Sequence, residues 1–93
     1  MTYEELKRRI KDEGLDAYSF IRFDTLYGPE FSLSVRKESD GTCSRILRGE
    51  RDAIIFEERN KPEQEICEKV YQSAVSEKEV ELAFQERQRQ IHK

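Results

Sequence analysis

Tryptophan is absent, methionine and histidine occur once each, and only two cysteines, two prolines and four glycines are spread over 93 residues. Each shortage excludes something. With His92 the lone imidazole and no CxxC or HxxxH spacing, a zinc site lacks its usual ligands, so no metal is expected. Cys43 and Cys67 stand far apart in sequence, and a reducing compartment makes free thiols their default, with a disulfide the disfavoured alternative. No run approaches the roughly 20 apolar residues of a membrane span. The charged opening MTYEELKRRI also lacks the apolar stretch of a signal peptide, so a cytoplasmic protein is expected. Phosphate, dinucleotide, hydrolase and calcium motifs are all missing, and no cofactor is expected.

Catalysis is equally short of parts, and the chain is read as not an enzyme. His92 lies beside the last residue, where nothing orients it. Cys43 has neither a nearby helix N-terminus nor a histidine to activate it. Among twenty carboxylates, pairs such as Glu57 with Glu58 or Asp24 with Glu30 arise without any acid–base role. Nor is there a strong charge bias. Seventeen basic and twenty acidic residues leave a net charge of −3 and a pI near 5.3, without the basic excess of a dedicated nucleic-acid binder.

What is present is periodicity. The composition is 40% charged and 35% hydrophobic, but the apolar residues are clustered as in a folded chain, and the length suits one domain, residues 1–93. Thr2 and Glu5 have capping-box spacing, Tyr3, Leu6 and Ile10 line one helical side, and Gly14 suits a left-handed stop; a helix is predicted over 3–13. The aromatic and β-branched run at 18–23 predicts a first strand, followed by a turn at Tyr27-Gly28-Pro29. Alternation of Phe31, Leu33 and Val35 with polar residues predicts a half-buried strand at 31–37. Ser39-Asp40-Gly41 then turns the chain into a strand at 42–48, read with Ile46 rather than Arg45 on the core face. AIIF suggests a fourth strand, 53–57, central and covered at least partly on both faces.

Asn60 as cap, Pro62 in the first turn, and Glu63 and Glu65 at the positive dipole end predict a helix over 61–75. Ile66, Val70 and Ala74, flanked by Cys67 and Tyr71, give it an apolar stripe. Ser76 and Glu79 repeat the cap spacing, so a break near Ser76 and a third helix over 77–90 are favoured over one continuous helix. The fold class is α+β: an N-terminal helix, a four-stranded antiparallel meander, and one or two C-terminal helices packed on the sheet.

Three binding readings fit these elements. Arg22, Arg36, Arg45, Arg48 and Arg51, with Tyr18, Phe20 and Phe23, could form a base-stacking sheet face for nucleic acid. The thin seam of Val80, Phe84 and Ile91 could serve self-association. Acidic residues outnumber basic ones between 57 and 86, which suits a basic protein partner.

The order helix, meander, then FEERNKPEQEICEKVY resembles small bacterial immunity proteins that neutralise polymorphic or contact-dependent toxins. The resemblance covers about residues 4 to 71. It is carried by EELK near the start, Gly14-Leu15, the turn at Arg48 to Arg51, Phe56, Glu65-Ile66-Cys67-Glu68, and Tyr71 one turn later. It implies a stoichiometric inhibitor that covers a toxin's active site or an exosite by shape and charge. Glu57, Glu58, Glu63, Glu65 and Glu68 would then face a basic toxin surface, with Tyr27 or Tyr71 as aromatic anchor.

Overall fold

The computed structural model describes residues 1–91, so His92 lies outside the described residues. Helix α1 spans Tyr3–Asp12 and starts where Thr2 Oγ1 accepts from the Glu5 amide at 3.2 Å. Gly14, with φ of 66°, ends the turn that follows. Strands β1 (Ile21–Phe23), β2 (Leu33–Lys37), β3 (Cys43–Arg48) and β4 (Ile54–Lys61) form one sheet in sequence order, and α2 spans Glu63–Ile91. The class is α+β with both helices on one sheet face. Tyr3, Leu6 and Ile10 of α1 and Ile66, Cys67, Val70 and Ala74 of α2 bury themselves against Leu33, Val35 and Cys43.

The sheet is mixed rather than antiparallel throughout. β1 runs parallel to β2, with Ile21 opposite Leu33 and Phe23 opposite Val35, while the β2–β3 and β3–β4 pairs are antiparallel. Residues 24–32 do not simply reverse the chain. They carry it back across the sheet face that the helices leave bare, a route that lets the next strand run in the same direction. β1 is also shorter than 18–23, because a 3-10 turn at Leu15–Ala17 draws in the Tyr18 and Ser19 amides, both of which bond the Leu15 carbonyl. Phe31 falls outside β2; with φ of 63° it is turned out to solvent.

Directly opposed residues share a face, which settles the hairpin register. Val35 faces Arg45 and Ser34 faces Ile46. Arg45 therefore lies on the helix side, and Ile46, although buried, lies on the other. The burial of Ile46 comes from the crossing segment, which carries the buried Leu26, and not from the helices. Three serines on or beside that face, Ser32, Ser34 and Ser44, are fully buried. Each satisfies a backbone group: Ser34 accepts from the Gly28 amide, Ser44 from the Asn60 amide, and Ser32 donates to the Pro29 carbonyl.

β4 is an edge strand and not a central one, since it pairs only with β3, and Ile54 and Ile55 stay exposed. Register shifts between Cys43 and Arg45 and between Leu47 and Arg48 break the ladder, a feature that discourages edge-to-edge pairing. Asn60 is not the cap of α2. It sits in β4 with φ of 54°, and its side-chain amide donates to Thr42 Oγ1. The helix opens after Pro62, whose carbonyl accepts from Ile66. Nor does the chain break near Ser76. No glycine or proline interrupts 63–91, and a cap spacing inside an established helix cannot compete with continued i to i−4 bonding.

A Cβ on Gly28 would sit 2.5 Å from Ser32 Oγ and 2.6 Å from Ser34 Oγ. Gly28→Ala should therefore cost about 1–3 kcal/mol, by overpacking and by disturbing the Gly28–Ser34 hydrogen bond. Urea denaturation of the two proteins measures it, and equal midpoints would mean that the crossing segment lifts off the sheet without cost.

Candidate protein-binding surface

Most of the carboxylates picked out in the sequence are engaged within the fold. Glu58, on the helix side of β4, accepts from Lys69 Nζ at 3.0 Å and from Arg45 Nε at 2.7 Å. Lys69, and then Arg45, hold its carboxyl below the usual range. The Arg45 guanidinium in turn lies over the Phe56 ring, 4.5 Å from its centroid. Glu63 accepts from the Tyr3 amide at 2.9 Å and pairs with Lys37 at 3.1 Å, and both lower its pKa. Glu57 pairs with Arg59 on the same strand, and Glu65 reaches Lys69 at 3.4 Å. Glu68 accepts only from Gln72, one turn along, and remains exposed.

The two tyrosines differ. Tyr71 ties α2 to α1: its hydroxyl donates to Glu13, accepts from Arg9 Nη2 at 3.0 Å, and the Arg9 guanidinium lies 4.2 Å from its ring centre. That is a structural task. Tyr27, on the crossing segment, is 72% exposed. The arginine and aromatic set is divided between the two sheet faces. Phe23 packs edge-on to Tyr3 in the core and Arg45 faces the helices, whereas Arg22, Arg36 and Arg48 fall on the other face, where Glu38 holds Arg36 and Arg48 donates to the Gly28 carbonyl.

The thiols are enclosed in the core. Cys43 on β3 and Cys67 on α2 are both fully buried, and their side chains interact with each other. Burial raises the Cys43 pKa and pushes that of Cys67 up to about 12, far from a thiolate nucleophile at neutral pH. Among the described residues, no three His, Cys, Asp or Glu side chains come together as a metal site, and no helix is long and apolar enough to cross a membrane.

The conspicuous surface is at the end of α2. Helix α2 docks only through its first half; every residue from 79 to 91 is exposed, about 20 Å of helix at 1.5 Å per residue. This projection draws the molecule out to 55 × 31 × 16 Å. Along it Val80 is 70%, Phe84 56% and Ile91 72% exposed. Where the helix leaves the sheet, Phe20, Phe31, Leu47, Val70 and Glu77 line a cleft of about 100 Å³, and Tyr18, Ser73 and Val80 line a depression beside it. That cleft is too small for a typical small-molecule ligand, which needs about 300 Å³ or more. Ser19 closes part of it by donating to Glu77. Phe20 was singled out only for a base-stacking face, and Phe31 was read as a half-buried strand residue, so their meeting at this cleft was not legible in the sequence.

No protein-family model, curated protein or solved structure matches the chain.

Two outcomes follow from this geometry. Because the folded-state pKa of Glu58 is depressed, its contribution to stability is present above the ordinary value of 4.5 and is lost as pH falls through the lower folded value. Glu58→Gln should therefore cost about 1 kcal/mol near pH 7 and progressively less below pH 4.5. Thermal melts across pH measure this, and a pH-independent difference would refute the ion-pair assignment. Maleimide labelling should leave both thiols unmodified in the native protein and modify both in denaturant; rapid native labelling of Cys43 would contradict its burial.

Proposed function

We propose that the chain is a non-catalytic protein-binding module that engages its partner stoichiometrically through the projecting half of α2 and the apolar sheet end beside it. One observation carries this reading. A helix of this size has no reason in its own fold to keep Val80, Phe84 and Ile91 aligned and exposed, and exposed apolar side chains grouped on one side of a helix suit an interaction site. Glu68, Glu79 and Glu81 are exposed along the same helix and suit a basic rim on the partner. Neutralisation of a toxin domain is the specific form of this activity, supported by the resemblance of the β4–α2 segment to immunity proteins. Inhibition of that kind needs only coverage of a surface, in keeping with buried thiols and carboxylates already held in ion pairs.

The test is the double variant Val80→Asp/Phe84→Asp in quantitative binding to a protein that co-purifies stoichiometrically with the chain. Affinity should fall about 30-fold or more, as for loss of a hot spot, while the thermal transition stays unmoved because neither side chain is in the core. Undiminished binding would remove the α2 projection as the interface. A partner that is harmless when produced alone would end the toxin form of the reading.

A further inference from the structure

We infer that the groove between α1 and the outer edge of β1 binds an extended segment of another protein, in which apolar and acidic residues alternate, as an added strand of the sheet. No residue of α2 lines this groove, so the inference stands apart from the projection and does not rest on the role proposed for it. β1 is the other edge of the sheet, with β2 its only strand neighbour. Leu33 N donates to the Phe20 carbonyl and Asp24 N to the Val35 carbonyl. By the alternation of a parallel ladder, Arg22 then turns both its backbone groups toward β2, and Ile21 and Phe23 turn theirs outward. The amides and carbonyls of Ile21 and Phe23 have no partner among the described residues. This edge is only three residues long, but it lacks the register shifts that break β4.

Directly opposed residues share a face, so the two residues of an added strand that lie opposite Ile21 and Phe23 point to the helix side, whichever way the strand runs. There α1 and β1 bound an open groove of about 480 Å³ whose apolar part is Ile10, Ile21 and Phe23. Ile21 and Phe23 are only partly buried, so apolar side chains laid against them would cover surface that the fold leaves wet. The residue between those two points to the other face, beside the exposed Arg22. Arg22 enters no ion pair among the described residues, and neither do Arg8 and Lys11 on the groove's rim. An acidic residue beside Arg22 gains a cross-strand partner, and Arg8 and Lys11 add a local pull on a negative segment. Glu4 and Asp16 line the groove as well, so this pull depends on those three cations and not on the groove as a whole. The volume would suit a small molecule, but a row of unmet main-chain donors and acceptors beside it calls for another main chain, whose bonds supply affinity while the groove selects alternate side chains.

Titration of the isotope-labelled full chain with the peptide acetyl-Glu-Val-Glu-Val-Glu-amide, followed through its amide resonances, tests this. Saturable shifts should centre on Ile21 and Phe23. Arg22→Glu should weaken binding about 10-fold or more without moving the thermal transition, since its side chain is exposed, and lysine in place of the peptide's central glutamate should restore it. Alternate amides of an added strand face the edge, so methylating the backbone nitrogens of the valines or those of the glutamates should abolish binding in one case only. Full binding by both methylated peptides, or equal binding of octanoate at the same residues, overturns the inference in favour of a small amphipathic acid. Shifts at Ile21 and Phe23 that grow with protein concentration alone place a second copy on the edge and also overturn it, as does the absence of any shift at millimolar peptide. Val80→Asp/Phe84→Asp should bind the peptide as the parent chain does, so the fate of the α2 interface and the fate of this one are read separately.

Discussion

Tyr3 is the joint on which the layers of this protein meet. Its ring is buried against the core and sits edge-on to Phe23 of β1, with centroids 5.8 Å apart. Its hydroxyl accepts from the Asp24 amide at 2.9 Å, and lies 2.8 Å from Asp24 Oδ1 and 3.1 Å from the Val35 carbonyl, joining the β1 exit to β2. Its backbone amide donates to Glu63, the first residue of α2. One residue at the start of α1 thus touches β1, β2 and α2. Burial, and then the hydrogen bond to Asp24, raise the phenol pKa, so the hydroxyl stays protonated as the donor this joint needs. Lys7 completes it by pairing with Asp24 at 3.0 Å, which together with Tyr3 holds that carboxyl below its usual range.

With both helices committed to one sheet face by this joint, the opposite face has to be covered by other means, and that need explains the crossing segment. A nine-residue connection with one buried leucine is a thin cover. It works because the residues beneath it are small: Ser34 takes the Gly28 amide, and the glycine lets the backbone approach within reach of two serine hydroxyls. The parallel β1–β2 pair is the topological consequence of that route.

The parts that were legible in the sequence are those decided by local chemistry. The Thr2 cap, the α1 stripe, the left-handed Gly14, the Ser39-Asp40-Gly41 turn and the Ile66–Val70–Ala74 stripe each follow from a few neighbouring residues. The parts that were not legible depend on which face of the sheet is covered and by what. Ile46 reads as inward in any register that buries it, yet only the crossing segment makes its side of the sheet a buried one. Ile54 and Ile55 read as a central strand because an apolar run carries no record of how many neighbours the strand will have. Glu58 and Glu63 read as free charges because their partners, Arg45, Lys69, Lys37 and the Tyr3 amide, are brought to them by tertiary packing.

The same packing explains how the projecting end of α2 can carry the interface proposed for it. An isolated helix of about 13 residues is marginal in water, since nucleation is unfavourable and propagation adds little per residue. Here the nucleus is already formed, because Ile66, Cys67, Val70 and Ala74 fix three turns against the sheet, and the remaining residues extend an existing helix. The projection can therefore stay helical without burying anything of its own, which leaves its apolar seam free. A partner that docks on it meets side chains already held at helical spacing, so little of the backbone ordering cost of binding remains to be met on this side. The fold invests carboxylates and tyrosines in holding the two halves of the domain together and carries exposed apolar side chains on the one element it has pre-formed, which is the arrangement that supports the proposed binding role.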